Sequence, residues 1–307
     1  MGRRIRQSGW LLAALAAISV SMPSAGYGQE KRATAQFVPA LNALCGSGRE
    51  LATGCDEVKA RRIVDASAYP WSAVGRLNFS FYRDRRHCTA TLVGERHILT
   101  AAHCLYGGAN IGWVEPEELH FLAGYQRGGY SAHSTAARVY LPGEGSENRS
   151  PGYEPGKDWA IVELSEPVGR EAGYLGLAAL KQSALDAALE AGGHIAAAGY
   201  PAVREHVLSL EEDCGRTGFA NDGQLFTHEC AVMSGDSGGP ILLMKDGEIS
   251  VVAVHSGTGV TKDAFIRLAT PAAIMIDAVR RLRGEEGGPG KTDEGNKLPG
   301  RAPGEAR

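Results

Sequence analysis

The sequence predicts an all-β fold of the sandwich or barrel kind. Three observations predict it: many short β-prone runs, turn residues between most of them, and no regular alternation of strand with helix. In order, the runs are 72–77, 89–93, 98–100, 119–122, 160–164, 194–198, 241–244 and 250–255. Turns such as Gly107-Gly108-Ala109-Asn110 and Lys245-Asp246-Gly247 separate them, because Gly, Asn and Asp adopt the tight or left-handed conformations a reversal needs. Two helices interrupt the pattern. Segment 177–191 is rich in Ala and Leu and predicts a helix within a connection. In 271–283, Ile274, Ala278 and Leu282 recur every four residues, so one face is apolar and the other basic. That spacing predicts a C-terminal helix with Thr270 as N-cap and Pro271 at its first position.

The chain has 307 residues, room for roughly two core units at about 150 residues each. Apolar residues make up 43%, charged residues 22%, and there are 41 glycines, which fits a soluble globular chain with many turns. Lys and Arg total 32 against 35 Asp and Glu, a net charge of −3. With no basic block of five or more, neither nucleic acid nor an anionic membrane is expected as a partner.

The ends carry a different signal. Arg3, Arg4 and Arg6 precede an apolar run from Trp10 to Ile18, and the small residues Ser24, Ala25, Gly26 and Gly28 follow. Residues 1–28 therefore read as a secretory signal peptide. Its apolar stretch of about ten residues is too short for a hydrocarbon core, which takes about 20. The mature protein is expected to be secreted, either extracellular or periplasmic. Residues 284–307 hold seven glycines and three prolines among mostly charged residues, and are expected to form a disordered tail that cannot offset its ordering entropy.

Three distant segments carry the chemistry: Thr100-Ala101-Ala102-His103-Cys104, Asp158-Trp159-Ala160-Ile161-Val162, and Gly235-Asp236-Ser237-Gly238-Gly239-Pro240. Acyl transfer of the hydrolytic kind needs a hydroxyl made nucleophilic by an imidazole, and an imidazole oriented by a carboxylate. His103, Asp158 and Ser237 supply those groups in that chain order. A Gly-x-Ser-x-Gly esterase elbow would instead give the order Ser, Asp, His.

Taken jointly, these segments resemble the trypsin-like (chymotrypsin-family) serine endopeptidases. The resemblance implies two antiparallel six-stranded β-barrels with the triad in the cleft between them, a C-terminal helix, and a catalytic domain over 63–283. It implies disulfides Cys88–Cys104, beside the histidine, and Cys214–Cys230, upstream of the nucleophile. The family bridge beside the nucleophile loop is missing, since Met233 takes its place and no cysteine follows Cys230. No C-x-x-C or paired-His spacing suggests a metal, and no cofactor is expected.

Arg61-Arg62-Ile63-Val64 is a further likeness. In zymogens of the family, a cut before Ile-Val frees an α-ammonium that pairs with the aspartate before the nucleophile. The resemblance thus implies cleavage between Arg62 and Ile63 by an activating protease, pairing of Ile63 with Asp236, and a latent uncut chain. Pro70-Trp71 and the forty-residue step from Ile63 to His103 fit the family, whereas Asp65-Ala66 stand where Gly-Gly is usual. Residues 29–62 then form a propeptide, in which Cys45 and Cys55 most simply pair with each other.

By the same resemblance, His103 takes the proton of Ser237 and returns it to the leaving amine, while Asp158 orients the imidazole. The amides of Gly235 and Ser237 form the oxyanion hole, and Ser256 hydrogen-bonds Asp158. Specificity stays open at this point. Position 231 is Ala231 rather than an aspartate, which argues against cleavage after Lys or Arg. Ala231, Val232 and Met233 suggest an apolar pocket for an apolar or small P1 side chain. His255 resembles the pocket histidine of glutamyl endopeptidases and suggests an acidic P1; Val232 stands where those enzymes carry a hydroxyl, which Thr258 could supply. Protein or peptide substrates and a monomer are expected. The alternative, a catalytically silent scaffold acting as a secreted binding or regulatory protein, would usually lack a triad residue; none is missing. Asn78-Phe79-Ser80 and Asn148-Arg149-Ser150 would be glycosylation acceptors only in a eukaryotic secretory pathway.

Overall fold

The computed structural model describes residues 55–81, 84–108, 111–143, 154–260 and 265–284. The expected signal peptide, most of the propeptide with Cys45, the Asn148 sequon and all of the tail but Gly284 lie outside them.

Six strands close into a barrel: β2 (Val74–Phe81), β3 (Asp84–Leu92), β4 (His97–Thr100), β5 (Leu119–Ala123), β6 (Ala132–Tyr140) and β7 (Ala160–Leu164), in the order β2-β3-β4-β7-β6-β5. The period of two is plain in β5, where Leu119, Phe121 and Ala123 are buried and His120 is exposed. Phe121 packs over Gly75 so closely that a Cβ there would sit 2.3 Å from the ring. β6 was not expected because its inward residues, Ala132, Ser134 and Ala136, are small; they leave no bulky apolar run to read.

The second unit is a nine-stranded sheet. Its strands are β1 (Arg62–Ile63), β8 (Gly176–Leu177), β9 (His194–Gly199), β10 (Ser209–Glu211), β11 (Gly218–Ala220), β12 (Leu225–His228), β13 (Pro240–Lys245), β14 (Glu248–Val260) and β15 (Phe265–Pro271). They run β1-β10-β9-β13-β14-β15-β12-β11, with β8 beside β14. The six strands from β10 to β12 along that path are antiparallel throughout, as the family fold implies. Short β1 and β11 extend the sheet at its ends, and β8 joins it parallel to β14. Among the described residues no ladder closes this sheet into a second barrel.

Four helices complete the chain: α1 (Cys55–Ala60), α2 (Gly169–Ala172), α3 (Gln182–Glu190) and α4 (Ala272–Leu282). α3 starts five residues later than expected because Leu177 is drawn into the ladder opposite Val251. α4 starts at Ala272, with Pro271 as its N-cap in extended geometry. Thr270 is not the cap: it ends β15 and its hydroxyl donates to the Asp158 carbonyl at 3.3 Å. Met275 and Val279 of α4 share one apolar cluster with Leu92 and Ile161 of the barrel and Leu242 and Val254 of the second sheet. Arg283, just past α4, lies against Gly94 in the β3–β4 turn and stacks over the Tyr174 ring at 5.2 Å. The end of the expected propeptide is also built in, since Val58 of α1 is buried and β1 pairs with β10.

Candidate active site

His103 leaves the end of β4 on a 3-10 turn, Ala102–Leu105. Cys104, in the same turn, is bridged to Cys88 of β3, which ties the turn to the barrel wall. Asp158, 8% exposed, stands just before β7, the neighbour of β4. The His103 amide donates to Asp158 Oδ1 at 2.9 Å, and His103 Nδ1 lies 2.8 Å from Oδ2. With Nδ1–H donating to the carboxylate, Nε2 presents its lone pair outward. Cys88, His103 and Cys104 bring ligand-type atoms within 4.8 Å, but the two sulfurs are bonded to each other and offer no thiolate.

Ser237 comes from the loop between β12 and β13. Its carbonyl accepts the Thr89 amide at 2.9 Å, on the residue next to Cys88. Gly238 sits so tightly that a Cβ would fall 2.1 Å from Thr100 Oγ1 and 2.8 Å from the Ala101 nitrogen. The loop is thereby pressed against the two residues that lead into His103. Ser237 Oγ makes no hydrogen bond among the described residues; such bonds often tighten only when substrate is bound.

Three carbonyls in this loop are tied down. Ser234 O accepts from the Ala202 amide at 2.8 Å, Gly235 O from Thr89 Oγ1 at 2.8 Å, and Asp236 O from the Gly239 amide at 2.8 Å. In a trans peptide the N–H points opposite to its carbonyl. Fixing Ser234 O and Asp236 O therefore fixes the amides of Gly235 and Ser237, and neither donates to an acceptor among the described residues. Gly235 has φ +93°, and a Cβ there would lie 2.3 Å from Tyr200 O, so no other residue fits.

The turn is braced from below by Asp236. Its Oδ2 accepts the Met233 amide at 2.9 Å and Arg61 Nη1 at 2.7 Å. Burial pushes the Asp236 carboxyl up from its ordinary value, and the Arg61 guanidinium opposes the rise. In this uncut chain the cation at Asp236 is Arg61 and not Ile63, which lies in β1 with 44% of its surface exposed.

Other expected residues fall as follows. Ala231 and Val232 follow Cys230, which is bridged to Cys214; Val232 packs on the Phe226 and Ile241 cluster, and the Ala231 carbonyl faces Arg61 at 3.5 Å. Ser256 is corrected: its hydroxyl donates to Leu268 O at 3.2 Å, not to Asp158, and one hydroxyl proton cannot serve both. The bulge between His255 and Gly257 sets that direction. Cys55 is disulfide-bonded as well, and its expected partner Cys45 lies outside the described residues. His255 is buried in β14, with His228 Nε2 3.3 Å from its Nδ1. Arg267 of β15 is the cross-strand partner of both His228 and Thr258.

A family model for trypsin matches residues 62–279. The chain belongs to the trypsin family. Among curated relatives, a glutamyl endopeptidase of Bacillus licheniformis is 30% identical over 118 residues, which is 38% of this chain and 33% of the relative's length. Three solved structures share the fold at 18% identity. A Glu endopeptidase in complex with MPD has a TM-score of 0.56, covering 73% of this chain and 96% of that one. A thermostable serine protease from an extremophilic microorganism scores 0.53, with 70% and 98% covered. Protease Anisep from Arthrobacter nicotinovorans scores 0.52, with 70% and 96% covered.

Two functional candidates in this trypsin-family chain were missed in the sequence. His228 carries no motif, and Arg61 was read only as half of a cleavage pair. The buried histidines also set an acid limit. Burial, then the positive neighbours His103, Arg267 and Arg61, lower His255 to about 3 against an opposing pull from Asp158. Burial, then His255 and Arg267, hold His228 well below its ordinary value. Both are neutral in the fold, whereas unfolded imidazoles gain protons below about 6.5. Their contribution to stability is complete above that pH and is lost as pH falls, toward about 3 for His255, by up to about 1.4 kcal/mol per pH unit for each ring. The urea midpoint is expected to drop between pH 7 and 4, and to drop less in His255→Gln. Equal drops in the two proteins would reject the assignment.

Proposed function

We propose that this chain is a secreted serine endopeptidase that hydrolyses peptide bonds through an acyl-enzyme and prefers an acidic P1 side chain. The observation that carries the hydrolase reading is the two-point grip of Asp158 on His103 beside a nucleophile loop with two fixed, unused amides. Ser237 Oγ attacks the scissile carbonyl carbon while His103 Nε2 accepts its proton. The oxyanion forms against the Gly235 and Ser237 amides, where one donor is worth about 10²- to 10³-fold in rate. Collapse breaks the C–N bond as His103 returns the proton to the leaving amine. Water, deprotonated in the same way, releases the acid and restores Ser237.

The acidic preference rests on His255, His228 and Arg267. His255 Nδ1 is engaged with His228, so Nε2 is the atom left for a ligand, and Arg267 adds positive charge beside both rings. A substrate carboxylate would offset the burial that keeps His255 neutral. The name of the Bacillus relative points the same way. Secretion is supported by the disulfides, which persist in oxidising compartments. A cut before Ile63 would free an α-ammonium that could pair with Asp236, whose Oδ1 has no hydrogen-bond partner among the described residues.

A peptide library varied at P1 tests the reading. Glu or Asp is expected to exceed Ala, Leu and Lys by about 10²-fold in kcat/KM, and His255→Gln to erase that margin; the size is that of an unpaired buried charge, about 3 kcal/mol. An apolar P1 preference would return the pocket to the Ala231 and Val232 alternative.

A further inference from the structure

Arg61 holds a position that nothing in its local sequence announces. Its side chain is 0% exposed and reaches a carboxylate 175 residues along the chain. Nη1 donates to Asp236 Oδ2 at 2.7 Å, Nη2 to Ser209 O at 2.6 Å, and Nη1 to Ala231 O at 3.5 Å. The residue is anchored at its backbone too, since its carbonyl accepts from Arg204 Nη1 at 3.0 Å. A guanidinium leaves water at a high cost that only close, hydrogen-bonded pairing offsets, and here that pairing converges on the residue next to Ser237.

The contacts of Asp236 show what the pair does. The same Oδ2 that takes Arg61 also takes the Met233 amide, and the Asp236 amide returns a bond to Met233 O at 3.0 Å. That reciprocal turn, 233–236, contains the Gly235 amide. Arg61 thus meets the turn through Asp236, with its charge where a freed α-ammonium is expected in a cut relative. It arrives there while the Arg62–Ile63 bond is intact and β1 is paired with Ser209 and Leu210 of β10.

We infer that Arg61 is the positioning residue that holds the nucleophile turn in its hydrolysing shape, so that the chain is competent before any cut at Ile63. This rests on the hydrolase reading proposed above. A cut would add a second cation at Asp236 but would not be required for turnover.

The test separates the two ideas. Arg62→Gln removes the basic residue before the expected cut at the cost of an exposed pair with Glu212, a kind worth little. Its intact mass is checked for the 62–63 bond, and it is assayed for peptide turnover and for labelling of Ser237 by a serine-directed phosphonate. The uncut chain is expected to turn over within about tenfold of chain cut before Ile63, far inside the loss that follows when oxyanion donors are displaced. Turnover and labelling confined to chains that begin at Ile63 would overturn the inference. Failure of both forms to label would instead sink the hydrolase reading.

A second arm addresses Arg61 itself. In Arg61→Ala, kcat is expected to fall by about 10²-fold or more with KM little changed, the signature of misplaced oxyanion donors. Millimolar guanidinium ion should restore part of kcat, and urea at the same concentration should not. Arg61→Lys, which keeps the charge, should lie between. A folded Arg61→Ala protein with undiminished kcat, or equal effects of guanidinium and urea, would reject the role.

Discussion

With Ser237 replaced by alanine, peptide turnover is expected to fall by about 10⁶-fold, the loss seen when a triad protease loses its nucleophile, while the urea midpoint barely moves. Both halves follow from the geometry. In the proposed mechanism the hydroxyl becomes covalently linked to the acyl carbon, and water held near His103 would be a poorer and less fixed substitute. Yet Ser237 Oγ makes no hydrogen bond among the described residues, and what locks the loop is backbone: Ser237 O on the Thr89 amide and Gly238 N on His255 O at 2.8 Å. Alanine keeps all of that. The pair of measurements is kcat/KM on a peptide substrate and a urea melt. Residual turnover within about tenfold of the parent, far short of that loss, would mean that another group attacks. A large loss of stability would mean that the hydroxyl is structural.

Asp158→Asn is expected to cost about 10⁴-fold in kcat, the size of the same change in other trypsin-family triads, with KM and fold little changed. The carboxylate receives two donors, the His103 amide and Nδ1. An asparagine has one oxygen and one NH₂ for those two places. With the oxygen kept on the backbone amide, the NH₂ faces Nδ1 and forces it to accept. The ring proton then moves to Nε2, where it blocks uptake of the Ser237 proton. Turning the amide the other way sets NH₂ against the His103 N–H and pulls the turn off β4. Imidazole ¹⁵N shifts read the tautomer directly. An unchanged Nδ1–H tautomer with full activity would show that Asp158 serves packing alone.

Most of the candidate site was legible because its parts are local. Thr100-Ala101-Ala102-His103-Cys104 and Gly235-Asp236-Ser237-Gly238-Gly239 are runs whose neighbours set their geometry: an adjacent disulfide in one, and glycines with no space for a side chain in the other. Strands with bulky inward residues, such as β5 and β7, were legible for a similar reason. What stayed hidden depends on tertiary reach. Arg61 finds its partner 175 positions away, and no spacing rule connects them. His228 matters only because β15 lies between β12 and β14. The Ser256 hydroxyl turns to Leu268 because of a bulge, which a sequence match to a family serine does not encode. β6 was hidden by its small inward residues, and the sheet's extra strands β1 and β8 are two residues long, shorter than any pattern can register.

The placing of α4 has a consequence for a chain made from its N-terminus. His103 and Asp158 belong to the first barrel and can meet once residue 164 has been synthesised. Ser237 follows much later, and the helix that carries Met275 and Val279 between the two halves comes last of the described elements. On the proposed reading, a growing polypeptide holds its base long before its nucleophile, and α4 follows both. On the hydrolase reading proposed above, the chemistry is therefore complete only after the late elements have been made.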